Sequence, residues 1–138
     1  MIILDTNVVS ELMRAHPQQC VIDWTDRQAP ETLYLTTLNL AEIRFGIAAL
    51  PRGARRTRLA AAFENGIRPL FGDRILGFDQ PASIAYASLR ADARTRGLAV
   101  GDADTLIAAI ALAHRFAVAT RDVAPFEATG LQVIDPFA

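Results

Sequence analysis

The sequence predicts an α/β fold in which a mainly parallel sheet is covered by helices on both faces. Three observations carry that expectation. Short apolar runs suited to buried strands alternate with longer segments of helical periodicity along the whole chain. The runs Met1 to Leu4, Leu33 to Thr36, Ile75 to Phe78, Phe116 to Thr120 and Leu131 to Ile134 are separated by stretches that can hold crossover helices, which parallel neighbours require. At 138 residues and 51% hydrophobic content, residues 1–138 are expected to form a single domain with a core of its own.

The elements follow in order. Met1 to Leu4 is apolar enough for a buried strand; Asp5 stands at its exit, and Thr6 and Asn7 are helix-cap residues. A helix from Asn7 to Ala15 is broken by His16-Pro17, and a second helix through Val21, Ile22 and Trp24 closes before Pro30. After the second strand, Thr37 is the expected cap of a helix from Leu38 to Leu50, which Pro51 stops. An Arg-rich turn leads into a helix from Leu59 to Ile67, with Gly66 and Pro69 at its end. The third strand passes through Asp79 and Pro81 into a long helix from Ala82 to Arg96, ended by Gly97. Asp102 opens a helix whose small and apolar residues from Thr105 to Ala113 suggest burial on most sides. Arg121-Asp122 forms a turn after the fourth strand, and the fifth lies near the terminus.

Composition excludes several classes. The single Cys20 rules out an internal disulfide, and His16 and His114 show no zinc-binding spacing. No apolar run reaches the roughly eighteen residues of a membrane span, and no basic segment precedes a long apolar one, so a soluble cytoplasmic protein is expected. The net charge of −1 gives no overall basic field, although Arg52, Arg55, Arg56 and Arg58 cluster locally. A phosphate loop of the Gly-x-x-x-x-Gly-Lys type, a Gly-x-Ser-x-Gly turn and a dinucleotide fingerprint are all missing.

The informative residues are acids. Asp5 lies where a buried strand ends, and in an open parallel sheet that edge borders the ligand crevice; it is equally able to begin a turn or cap a helix. Glu42 has Leu38, Phe45 and Ala49 among its helical neighbours. It therefore either finds a cation or turns out to solvent, exposed beside an Arg such as Arg44 or Arg52. Asp102 and Asp104 sit two residues apart at a helix start. Asp102 suits the N-cap, whereas Asp104 shares the face of Ile107, Ala108 and Ala111 and points inward near a strand edge. Asp122 repeats the arrangement at Asp5, an apolar strand followed by an acid, and a plain turn accounts for it equally well. Converging at one sheet edge, these acids would need cations. Hard oxygen donors without nearby His or Cys suit Mg²⁺ or Mn²⁺, which share their sites with phosphates and so point to phosphate chemistry.

Four segments, in this order and spacing, resemble the PIN-domain ribonucleases, in particular the VapC-type toxins of bacterial toxin–antitoxin pairs. They are Ile3-Leu4-Asp5-Thr6-Asn7, Leu40-Ala41-Glu42-Ile43-Arg44-Phe45-Gly46, Asp104-Thr105-Leu106-Ile107-Ala108-Ala109 and Ala119-Thr120-Arg121-Asp122, with Val133-Ile134-Asp135-Pro136-Phe137 closing the chain. The resemblance implies a three-layer α/β/α sandwich and an acidic pocket that binds Mg²⁺ or Mn²⁺ and hydrolyses RNA. By motif position, Asp5, Glu42, Asp104 and Asp122 would hold the metal, and Asn7 and Thr120 would orient a ligand or water. Asp102 has no clear counterpart and is left either as a cap or as a residue supporting the acids from behind. The resemblance also implies a homodimer and a small antitoxin that blocks the pocket, often with an Arg among the acids.

Arg52, Arg55, Arg56 and Arg58 are either RNA-phosphate contacts or a solvated helix start. His16 and His114 read as a turn residue and a helix-end cation, and Cys20 and Trp24 as packing residues. Two other functions fit the sequence less well. An inactive RNA- or partner-binding module leaves four acids without a purpose. A phosphatase with Asp5 as covalent nucleophile lacks the usual second acid, because position 7 is Asn.

Overall fold

A computed structural model describes residues 1–138. Five parallel strands, β1 (Ile2–Leu4), β2 (Leu33–Thr36), β3 (Ile75–Leu76), β4 (Ala117–Ala119) and β5 (Val133–Ile134), form one sheet in the order β3-β2-β1-β4-β5. Helices α1 (Thr6–Leu12), α2 (Gln19–Asp26), α3 (Thr37–Ala48), α4 (Ala54–Ala61) and α5 (Arg68–Phe71) belong to one layer. In the other are α6 (Gln80–Thr95), α7 (Asp102–His114) and α8 (Val123–Glu127). This is the three-layer arrangement expected.

Strand alternation sorts the two cores. Leu4, Leu33, Leu35 and Ala119 pack with Val8, Val9, Val21, Leu40, Ile43, Phe63 and Phe71. Ile3 and Val118, one position away, face Ala82, Leu89, the buried face of α7 and Phe126. Burying each of the larger side chains stabilises the fold by about 2 kcal/mol. Ala108, Ala109 and Ala111 are fully buried where α7 packs on the sheet and α6, as their small size suggested. Cys20 and Trp24 pack on the first core as expected.

Several boundaries differ from the sequence reading. The cap of α3 is Thr36 rather than Thr37: its hydroxyl accepts from the Asn39 backbone N–H at 3.1 Å while Asn39 Oδ1 accepts from the Thr36 N–H at 2.9 Å, a reciprocal capping box. Asp102 is not a cap. Gly101 takes that position, and Asp102 points to solvent and pairs with Arg90 at 3.0 Å. The Arg-rich segment after Gly53 is helical rather than a turn, and the expected Leu59 to Ile67 helix divides into the end of α4 and a π-helical stretch, Ala62–Ile67, that carries the buried Phe63.

The crossovers fix where a site can form. From β1 the chain reaches β2 and β3 through the first helical layer, then crosses to the opposite layer through α6 and α7 before reaching β4. The connections leaving β1 and β4 therefore diverge, and the ends of these two central strands border a crevice at the carboxyl edge of the sheet.

Candidate active site

The β1–β4 ladder carries its pairing to this edge. Asp5 N–H donates to the Ala119 carbonyl at 2.9 Å and Thr120 N–H to that of Ile134 at 2.9 Å, so Asp5 and Thr120 leave adjacent strands side by side. The Thr120 hydroxyl donates to Asp5 Oδ2 at 2.8 Å, and the Thr6 N–H to Asp5 Oδ1 at 2.8 Å. Asp5 is 5% exposed. Burial, opposed by these two hydrogen bonds and reinforced by the charges of Asp104 and Glu42, pushes its carboxyl up to about 6.

Asn7 links the two strand exits. Its amide donates to the Thr120 hydroxyl at 3.1 Å and to Asp122 Oδ2 at 3.3 Å, and its Oδ1 accepts from the Arg121 N–H at 3.2 Å. The Asp122 N–H completes this lattice on Thr120 Oγ1 at 3.0 Å. Both polar residues expected to orient groups here thus hold acids in place within the protein.

Glu42 arrives from α3 on the first layer. Its partner is not Arg44 or Arg52 but the Thr6 hydroxyl, which donates to Oε1 at 2.9 Å and accepts from the amide of the fully buried Asn39 at 3.2 Å. Arg44 is committed to Glu64 at 2.7 Å. Asp104 arrives from the first turn of α7. Burial and then the charges of Glu42 and Asp122 raise its carboxyl above the usual range, with no hydrogen bond offsetting them.

Asp5, Glu42, Asp104 and Asp122 line one open pocket of about 700 Å³, together with Thr6, Asn7, Ser10, Glu11, Arg14, Arg55 and Arg121; no lining residue is hydrophobic. No three acids, His or Cys form a ready-made chelating cluster. The donor set is all carboxylate oxygen, and burial, with the neighbouring acids' charges adding to it, raises the carboxyls of Asp5 and Asp104. Such a site suits a small hydrated divalent ion, which is bound through one or two carboxylates while keeping several waters. Of the four clustered arginines, Arg55 alone borders the acids. Arg58 lies along the neighbouring groove, and Arg52 and Arg56 line a separate surface.

Nothing in the sequence placed Asn39, Glu11 and Arg121 at the site, whereas Thr6 was expected there beside Asn7. Glu11 is buried; the Gln18 backbone N–H at 2.9 Å, and then Arg14 at 3.3 Å, outweigh its burial and hold its carboxyl below the usual range. Its only sequence signal was Arg14 at i+3.

Comparison with known proteins agrees with this geometry. The PIN domain family matches residues 2–130. The chain is 52% identical over 137 residues to the VapC ribonuclease Y4jK of Sinorhizobium fredii, covering 99% of this chain and 98% of the relative. It is 54% identical over 137 residues to the plasmid stability protein StbB of Pseudomonas syringae pv. tomato, covering 99% of both. The crystal structure of FitAcB from Neisseria gonorrhoeae superposes with a TM-score of 0.95 at 42% identity, covering 99% of both chains. A conserved-length match to a relative more than half identical, on a fold with its acids at the sheet's carboxyl edge, decides the assignment: the chain belongs to the PIN-domain family, in its VapC branch.

Proposed function

We propose that the chain is a Mg²⁺- or Mn²⁺-dependent endoribonuclease acting as the toxin of a toxin–antitoxin pair. The observation that carries the reading is the meeting of Asp5, Glu42, Asp104 and Asp122 in one wholly polar pocket at the switch point of the sheet. These four acids are the proposed metal-site residues. When bound, the ion supplies positive charge for the phosphodiester and acidity for the attacking water.

The chain's own groups orient the acids. Thr6 and Thr120 fix the two oxygens of Asp5, Asn7 holds Asp122 to the β1 exit, and Asn39 acts through Thr6 to aim Glu42. Asp104, without a hydrogen bond from the protein, is free to accept from water or an ion. The phosphatase alternative is disfavoured because both Asp5 oxygens accept hydrogen bonds and position 7 offers no acid.

Beside the acids, a groove of about 530 Å³ between α1, α3 and α4 is lined by Met13, Ile43, Ile47, Leu50 and Leu59 and runs to Glu42 and Arg55. A small antitoxin seated there would reach the pocket and block it, which supports the toxin role. Homodimerisation and a cytoplasmic location are part of the same proposal; no helix is long and apolar enough to cross a membrane.

The test is cleavage of a panel of single-stranded and hairpin RNAs by the purified protein with Mg²⁺ or Mn²⁺, beside Glu42→Gln. Cleavage by the unaltered protein and its loss in the variant are expected. Equal activity in the two proteins, or none in either, would sink the assignment.

A further inference from the structure

We infer that Arg121, held on the ring of Phe137, is a positioning residue that grips an RNA phosphate next to the one lying in the acidic pocket. The inference deepens the ribonuclease reading and rests on it. Arg121 stands between Thr120 and Asp122 in the turn after β4, exposed and lining the pocket. Asn7 Oδ1 fixes its backbone N–H, and the same side chain meets Thr120 and Asp122, so the base of Arg121 is locked to the acids.

A guanidinium beside so many carboxylates is drawn to collapse onto them. That of Arg121 instead stands 4.5 Å from the centre of the Phe137 ring, and the five ion pairs in the protein are all made by other arginines. Phe137 is itself anchored. Its N–H donates to Asp135 Oδ1 at 2.9 Å, and its ring packs on the first core. An aromatic face attracts the cation without consuming its N–H groups, so the donors of Arg121 remain available along a planar edge.

Two parallel N–H groups on such an edge match two oxygens of one phosphate. Arg14, another cation of the rim, differs because Glu11 holds it at 3.3 Å. A pocket of carboxylates repels a polyanion, and a preorganised cation at its rim offsets that repulsion where the strand enters. The ring of Phe137 keeps the guanidinium from neutralising the acids that the strand must approach.

The test measures binding of a short fluorescently labelled single-stranded RNA as a function of salt. It uses protein carrying Asp5→Asn to prevent turnover, alone and combined with Arg121→Ala, Arg121→Lys or Phe137→Leu. Arg121→Ala is expected to weaken binding roughly tenfold, the value of one charge-assisted pair. It also lowers the slope of log affinity on log salt by about 0.7, the share of one single-strand phosphate. Arg121→Lys keeps the slope and recovers part of the affinity, whereas Phe137→Leu lowers both although it removes no charge. Thermal unfolding confirms that each variant folds, and Arg121→Lys against Phe137→Leu decides the matter if Arg121→Ala does not. RNA binding with the same affinity and slope in Arg121→Ala overturns this inference and leaves the ribonuclease reading intact. Failure of the unaltered protein to bind or cut any RNA overturns both.

Discussion

Replacing Asp5 by Asn should stabilise the metal-free protein while abolishing its activity. Asp5 has a folded-state value of about 6 against 3.8 for the free side chain. The folded state therefore binds this proton more tightly than the unfolded chain. Its contribution to stability is complete below pH 3.8, declines between there and pH 6, and is gone above. At pH 7 the ionised carboxylate costs about 3 kcal/mol relative to the low-pH limit. Asn removes that cost but leaves the Thr120 hydroxyl, already an acceptor from Asn7 and Asp122, without an acceptor for its own proton, at about 1 kcal/mol. A net gain of about 2 kcal/mol follows, or roughly 6 °C in midpoint for a chain of this size. Thermal unfolding from pH 4 to 8 in chelator measures it. The unaltered protein should lose stability between pH 4 and 6 in excess of Asp5→Asn, and Mg²⁺ should raise the midpoint of the unaltered protein alone. An Asp5→Asn protein that is less stable at pH 7 without metal, or a pH profile identical to the parent's, would refute the reasoning.

Three further outcomes are expected. Thr6→Val removes the hydroxyl between Asn39 and Glu42 and should lower RNA cleavage by about 10-fold to 100-fold, as loss of a ligand-orienting group does, and cost about 1 to 3 kcal/mol because the buried Asn39 amide loses its acceptor; steady-state kinetics and urea unfolding separate the two effects. Asn39→Ala opens the capping box and strands the buried Thr36 N–H, costing about 2 to 3 kcal/mol in urea unfolding, more than an exposed cap costs. Expression of the chain alone should arrest growth of the host, and Asp104→Asn at equal protein level should relieve the arrest; growth curves with immunoblotting check it.

The sheet was legible because its strands are short apolar runs whose alternation the structure reproduces, with Ile3 and Leu4 facing opposite cores. The acids were legible as positions, since strand exits and helix starts are set by local patterning, and all four reach one pocket. Their supports were not. Asn39 carried no signal while the cap was placed at Thr37; with Thr36 at the cap, Asn39 falls at N3, where a capping box needs it. Asp102 and Asp104 both fitted the helix start, with Asp102 expected as the cap, but the extended backbone at Gly101 takes that position and puts both acids in the first turn. Glu42 was expected either to find a cation or to lie exposed beside Arg44 or Arg52; it lies exposed, but its partner is the hydroxyl of Thr6, 36 positions away. The Asn7 to Asp122 and Thr120 to Asp5 contacts span more than 100 residues and depend on β1 and β4 being neighbours, which no local pattern encodes. Arg121 was read as a turn residue because its aromatic partner lies next to the C-terminus.

The central claim is that Asp5, Glu42, Asp104 and Asp122 hold a divalent ion, and calorimetric titration of the metal-free protein with Mn²⁺ tests it most directly. Saturable binding to the unaltered protein, lost in Asp104→Asn and in Glu42→Gln while both remain folded, is the expected result. An unaltered protein that takes up no Mn²⁺, or variants that bind it as tightly as the parent, would contradict the account.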